Sequence, residues 1–78
     1  MRLVIIRNAK SEALKYIDLA GPDQKIVLMQ NAVYDEALRT KGFCLAEDVK
    51  ARGIAAARTI DYAAIVDEIF SAEKALCI

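Results

Sequence analysis

The sequence predicts an α/β three-layer sandwich with a mainly parallel five-stranded sheet. Two continuous apolar runs, residues 3–6 and 26–29, lack the alternation of a half-exposed strand, so both are expected to be covered on both faces. Three further short strands are expected, and a segment with helical spacing or helix-end signals lies between each strand and the next. The resulting order βαβαβαβαβ is typical of a parallel sheet with helices on both faces.

Length and composition predict one small domain that associates with other chains. Seventy-eight residues can form a single core, and 56% of them are hydrophobic, above the roughly 45–50% usual for soluble domains. The apolar surplus favours an oligomer. Eleven basic and eleven acidic residues cancel, so no overall charge attracts nucleic acid or anionic lipid.

The hydropathy pattern predicts a cytoplasmic protein with no membrane contact. The longest uncharged stretch, residues 26–34, is far shorter than the ~20 residues that a membrane-spanning helix needs. The N-terminus lacks the apolar region and cleavage site of a signal peptide. In a reducing compartment Cys44 and Cys77, which form no metal-binding spacing, are expected to be free thiols.

The first third of the chain predicts a strand, a helix and the central strand. Residues 2–7 form the first strand, which should lie beside the central strand at residues 26–29. Leu14 and Ile17 recur at helical spacing, and Gly21 and Pro22 form a firm stop, so a helix is expected over about residues 11–20.

The central strand is expected to lead directly into a second helix. Gln30 and Asn31 follow its last apolar residue, and Asn31 is expected to cap a helix that starts near Ala32. That helix has acids in its first turns and bases in its last, matching the helix dipole, and Gly42 follows its end.

The second half of the chain predicts three further strands and two helices. Strands are expected at residues 43–45, 59–60 and 75–78, with a short helix over residues 47–52 that is followed by Gly53. Asp61 is a suitable N-cap for the last helix, which has the clearest periodicity in the chain. The apolar stripe of that helix consists of Tyr62, Ile65, Val66, Ile69 and Phe70.

The residue types exclude several kinds of catalytic site. Without histidine, Ser-His-Asp and Cys-His mechanisms are absent. No glycine-rich phosphate loop occurs, because each of the three glycines falls at a predicted helix end. Adjacent acids point in different directions on a helix and are interpreted as solvated or dipole-matching charges. We expect neither a cofactor nor a metal.

A small set of residues remains as candidates for function. Cys44 precedes a helix at the carboxyl end of its strand, where a thiol can be activated, but buried cysteines usually serve in packing and nearby acids raise a thiol pKa. Cys77 is expected to pack in the core. The rim or pocket candidates at the carboxyl edge of the sheet are Gln30, Asn31, Tyr34, Asp48, Arg52 and Tyr62.

Three blocks of the sequence resemble the DsrH/TusB family of sulfur-relay proteins. They are residues 26–34 (IVLMQNAVY), residues 45–54 (LAEDVKARGI) and residues 60–62 (IDY), which precede the apolar helix. The blocks occur in the family's order, and the resemblance covers nearly the whole chain, which is short for the family. The resemblance implies a single DsrH/TusB-like domain over residues 1–78 with the DsrEFH-like fold, a five-stranded parallel sheet between helix layers.

The resemblance also implies a place in a cytosolic sulfur relay. In that family TusB assembles with TusC and TusD into a hexamer that passes persulfide sulfur toward 2-thiolation of the tRNA wobble uridine, and DsrH belongs to the equivalent complex of sulfur oxidisers. The implied partners are further copies of the chain, paralogous DsrE/DsrF (TusD/TusC)-like subunits, or both. Contact with tRNA is expected to be indirect at most.

The same resemblance implies an accessory rather than a catalytic role. In the DsrE/TusD paralogues the carrier cysteine lies in the segment that aligns with residues 44–54, and counting back from Arg52 and Gly53 places it on Leu45. Cys44 is then expected to lie on the opposite face of the strand. A persulfide-carrying sulfurtransferase that uses Cys44, and a small ligand-binding module that uses the rim residues, remain as alternatives.

Overall fold

The computed structural model describes residues 1–19 and 21–78, and it has the predicted fold class. Its strands form one five-stranded, all-parallel sheet in the order β4-β3-β2-β1-β5. The strands are β1 (Arg2–Ile6), β2 (Gln24–Leu28), β3 (Phe43–Leu45), β4 (Thr59–Ile60) and β5 (Lys74–Cys77). The central position predicted for β2, with β1 beside it, is therefore confirmed.

Helices connect these strands in the described part of the chain. Two are 3-10 helices, η1 (Glu12–Tyr16) and η2 (Gln30–Tyr34), and three are α-helices, α1 (Glu36–Arg39), α2 (Ala46–Ala51) and α3 (Tyr62–Ser71). Only α3 is longer than two turns. The other described helices are therefore short segments that flank the sheet.

Alternate residues of β1 and β2 enter two separate cores, one on each face of the sheet. On the first face Val4 and Leu28 pack with residues of η2, α1 and α2, and on the second face Ile5 and Val27 pack with Ile65 of α3. Side chains of a strand alternate between faces, so a strand buried on both sides must be apolar at every position. This explains the unbroken apolar runs and gives the three layers of the sandwich.

The helix predicted over residues 11–20 is wrong in type and length. Ser11 is the N-cap, its Oγ accepting from the Ala13 N–H at 3.3 Å, but a 3-10 helix follows and ends at Tyr16. Ile17 already has extended backbone, and Ala20 lies outside the described residues. Because η1 has no fully buried residue, packing gives little support for a longer helix.

The second predicted helix is divided in two, and Asn31 is not its cap. Met29 occupies the position before η2 and makes no side-chain cap. Asp35 then adopts extended backbone between η2 and α1, and its Oδ1 accepts a hydrogen bond from the Leu38 N–H at 3.0 Å. The aspartate starts a new helix by capping it, which interrupts the one that the charge pattern indicated.

The later helices begin and end close to the predicted positions. α2 is followed by Gly53, whose positive φ of 65° suits a helix C-terminus. Asp61 caps α3, since its Oδ1 accepts from the Ala64 N–H at 2.8 Å. Both ends follow from local residue chemistry that the sequence makes visible.

The apolar stripe of α3 is helical as predicted, and most of it faces outward. Ile65 is buried at 3% exposure, and Ala64 beside it is partly buried. The other four stripe residues are exposed: Tyr62, Val66, Ile69 and, at 84%, Phe70. Besides this packing, the Lys25 ammonium of β2 holds α3 through the Glu68 carboxylate at 2.6 Å. The outer side of α3 is therefore an apolar surface patch, which we call the α3 patch.

Candidate functional site

Four of the six rim candidates form one chain of contacts at the carboxyl edge of the sheet. Gln30 follows the end of β2 with a positive φ of 52°, and its N–H donates to Asp48 Oδ2 at 2.6 Å. Asp48 lies in the first turn of α2 and also contacts Arg52, with Nη1 of Arg52 at 3.3 Å from Oδ1 of Asp48. The Arg52 guanidinium in turn lies 5.9 Å from the centre of the Tyr34 ring.

These contacts assign Asp48 a structural role that its sequence context did not indicate. Its side chain is 18% exposed, and its two carboxylate oxygens accept from two different parts of the chain. One accepts the Gln30 N–H at the start of η2, where the side chain of Met29 makes no cap. The interpretation of Asp48 as a solvated or dipole-matching charge is therefore incomplete, because it joins α2 to the end of β2.

Asn31 and Tyr34 line a cleft of about 470 Å³ between the loops that follow β1 and β2. A second depression of about 440 Å³ shares Asn31 with it and extends toward Arg7 and Ser11. Tyr34 is 56% exposed, so its ring forms part of the accessible wall. Of the sequence candidates, the cleft and the depression together contain Gln30, Asn31 and Tyr34.

The loop after β1, residues 7–11, belongs to this site but is not among the residues predicted from the sequence. A signal was present, because polar residues directly follow a doubly buried strand at the edge where open parallel sheets bind ligands. Asn8 and Lys10 from this loop line the cleft. The loop is held in shape by the Asn8 Oδ1, which accepts from the Lys10 N–H at 2.9 Å.

Tyr62 lies apart from the other candidates. It is the first residue of α3, follows the edge strand β4, and is half exposed. Neither the cleft nor the depression beside it includes Tyr62 among its lining residues. In the described part of the chain Tyr62 therefore belongs with the α3 patch, and the six candidates do not form one site.

Cys44 is a buried thiol that faces the first core. Its exposed fraction is 1%, and it packs in the cluster that includes Val33 and Leu38. Burial raises the pKa of the Cys44 thiol above its ordinary value of 9.0, and the nearby positive charges of Arg39 and Arg58 offset only part of this rise. The thiolate, which is the reactive form, is therefore disfavoured.

The adjacent residue Leu45 packs in the second core, so Cys44 and Leu45 lie on opposite faces of β3 as expected for neighbours on a strand. Cys77 differs from its expectation. Predicted to pack in the core, it is exposed, because β5 is an edge strand that pairs with β1 alone. Both cysteines are free thiols.

Comparisons of the chain with protein-family models, with characterised proteins and with solved structures found no match. Across residues 1–19 and 21–78, no helix has the length and apolar character needed to cross a bilayer. Over the same residues, cysteine and acidic side chains do not gather into a group of three that could hold a metal ion. The geometry of the site and the sequence blocks at residues 26–34, 45–54 and 60–62 are therefore the observations that bear on function.

Proposed function

We propose that the chain is a non-catalytic, accessory subunit of a cytosolic sulfur-relay assembly, similar to the DsrH/TusB component. The family-like blocks at residues 26–34, 45–54 and 60–62 support this proposal. Such an assembly would serve 2-thiolation of the tRNA wobble uridine or the oxidation of sulfur compounds. In either pathway this chain would contact its partner subunits and would touch tRNA indirectly at most.

The burial of Cys44 is the observation that carries the accessory role. A sulfur carrier must expose its thiolate to a donor and then to an acceptor, whereas Cys44 is 1% exposed and its pKa is raised by burial. The position that aligns with the carrier cysteine of the paralogues is Leu45, an apolar residue in the second core. The sulfur chemistry would therefore take place on a partner subunit.

The α3 patch supports assembly with a partner. Three of its members, Val66, Ile69 and Phe70, are large exposed apolar side chains on one side of a ten-residue helix, a pattern found at protein interfaces. Residues 59–73 contain four acids and no lysine or arginine; Glu68 pairs with Lys25 and Glu73 lies 3.9 Å from the N-terminal ammonium, so Asp61 and Asp67 remain as the acids that would repel a second copy. Two copies meeting through this helix would bring like charges together, so the charge pattern favours a paralogous subunit with basic residues around an apolar groove.

The mass of the chain, alone and with its paralogues, tests the proposal. We expect sedimentation of the chain mixed with DsrE-like and DsrF-like subunits to show a complex well above 8.6 kDa. Replacement of Ile69 and Phe70 by Glu should prevent formation of that complex without unfolding the protein, because both side chains are exposed. Tyr16→Glu is the matched control, because Tyr16 is an equally exposed aromatic residue on η1. A monomer that binds none of these subunits would contradict the proposal.

A persulfide carrier that uses Cys44 is the second candidate. It is favoured by the two arginines, Arg39 and Arg58, whose charges act to lower the pKa of this thiol. Incubation with a cysteine desulfurase and labelled cysteine would load sulfur that Cys44→Ser abolishes and Cys77→Ser leaves in place. Absence of label on Cys44, or label that only Cys77→Ser removes, would exclude this candidate.

A further inference from the structure

The cleft and the depression beside it form one groove across the carboxyl ends of β1 and β2. They share Asn8 and Asn31, which come from the loops after these two neighbouring strands. Open parallel sheets bind small molecules outside the carboxyl ends of their strands, where the loops diverge. The groove therefore has the position of a ligand site, and the sulfur-relay proposal assigns it no role.

The side chains that line the groove carry more positive than negative charge, since Arg7 and Lys10 stand against one acid. Arg7 and Lys10 are exposed, and no hydrogen bond or ion pair of either side chain is found among residues 1–19 and 21–78. The acid on the groove wall is Asp35, and its Oδ1 already accepts the Leu38 N–H that it caps.

The side chains of other arginines bond to groups of the protein itself, whereas the Arg7 side chain has no such bond in the described part of the chain. Arg39 pairs with Glu36, and the Arg58 guanidinium donates to the Thr40 carbonyl oxygen at 2.7 Å. Arg7, in contrast, contributes to the fold through its main chain, where its carbonyl oxygen accepts from the Ala32 N–H at 3.2 Å. Its position is thus fixed by the sheet while its guanidinium stays available.

Neutral donors and an aromatic wall complete the groove. Asn8, Asn31 and Ser11 also line the groove, and the side chain of each has a neutral hydrogen-bond donor. Tyr34, with Ala9 beside it, presents a ring that is 56% exposed. A carboxylate has two oxygens to offer, whereas two cations and three neutral donors suit the three terminal oxygens of a phosphate monoester.

We propose that this groove binds a small organic phosphate, with the phosphate at Arg7 and Lys10 and a planar group against the Tyr34 ring. The inference goes beyond the proposed function, since it holds for a relay subunit and for an independent protein alike. A nucleoside monophosphate is the simplest compound with both parts, and its base would stack on the tyrosine as bases do on aromatic side chains.

Titration of the labelled protein, followed through its backbone amide NMR signals, tests the groove directly. The probes are adenosine 5′-monophosphate, inorganic phosphate and adenosine. We expect saturable shifts from the monophosphate at residues 8–11 and 30–34, with weaker binding of phosphate and at least about tenfold weaker binding of adenosine, since a charge-assisted contact is lost. Signals at the opposite edge, such as Asp23 and Glu73, should stay unchanged.

Charge-matched variants separate a specific site from general attraction. Replacement of Arg7 and Lys10 by Gln should weaken binding of the monophosphate at least about tenfold, whereas replacement of Lys15 and Lys41, two exposed lysines outside the groove, should leave it unchanged. Tyr34→Leu should abolish the preference for the monophosphate over inorganic phosphate. Thermal melting confirms that each variant is folded. Equal losses in both charge variants, or no saturable shift with the monophosphate, would overturn the proposal.

Discussion

Replacement of Asp48 by Ala is expected to destabilise the fold, because this carboxylate makes two contacts at once. The substitution removes the acceptor for the Gln30 N–H and the partner of Arg52 in one step. Gln30 has a positive φ, so its amide is held at the end of β2 by that one carboxylate oxygen. Loss of the acceptor leaves this exposed N–H bonded to water instead of to a charged carboxylate.

The expected loss follows from the two contacts. A hydrogen bond to a charged group contributes about 1.5–3 kcal/mol, and a part-exposed ion pair at i,i+4 about 0.3–0.5 kcal/mol. The gain in helix propensity from Ala offsets part of this, which leaves about 2 kcal/mol. For a domain of 60–100 residues each kcal/mol lowers the melting temperature by about 4–8 °C, so the melting temperature should fall by about 8–16 °C.

Urea unfolding followed by far-UV circular dichroism measures the loss. Glu47→Ala is the matched control, since it removes the neighbouring acid of the same helical turn but no capping contact, and it should cost at most about 0.5 kcal/mol. Asp48→Asn keeps an acceptor oxygen and should lie between the two. A value for Asp48→Ala within error of that for Glu47→Ala would refute the assigned capping role.

Three further predictions concern the thiols and the glycines. At neutral pH iodoacetamide should modify exposed Cys77 rapidly and buried Cys44 only on unfolding, as mass spectrometry can show; equal rates would contradict the burial of Cys44. Burial raises the pKa of Cys44 in the folded state, so the contribution of the protonated thiol to the free energy of unfolding is kept below pH 9.0 and is lost as the pH rises from 9.0 toward the folded pKa. The urea midpoints of wild type and Cys44→Ala should therefore converge over that pH range. Gly42→Ala should cost about 3 kcal/mol or more by urea unfolding, because the added Cβ would overlap the backbone carbonyl oxygen of Ile26 and lie 2.8 Å from its Cβ. Gly53→Ala, with open space around the added Cβ but φ +65°, should cost about 1 kcal/mol.

The sheet could be predicted from the sequence because each of its signals is local and strong. The apolar runs in β1 and β2 predict burial on both faces, and Asp61 and Gly53 mark helix ends by their side-chain chemistry. Helix type was predictable only where packing agreed with periodicity. The spacing of Leu14 and Ile17 indicated an α-helix, but η1 makes few core contacts and stays a 3-10 turn.

The candidate site was predicted in part, since position along the chain shows which residues reach the carboxyl edge but not what they contact. Gln30, Asn31 and Tyr34 line the groove as their place after β2 suggested. The link between Gln30 and Asp48 crosses 18 residues and depends on how α2 approaches β2. The outward direction of the α3 patch is similarly a tertiary property, because periodicity shows that a stripe exists but not which way it faces.

The pairing of β5 with β1 has a consequence for the order of folding. Arg2 of β1 pairs with Lys74 of β5, and Ile5 pairs with Cys77, so one edge of β1 stays unpaired until β5 has been made. Such distant pairings are slow to form and leave an unpaired strand edge open to other molecules in the meantime. During synthesis β1 would therefore keep one unpaired edge until β5 has been made and pairs with it.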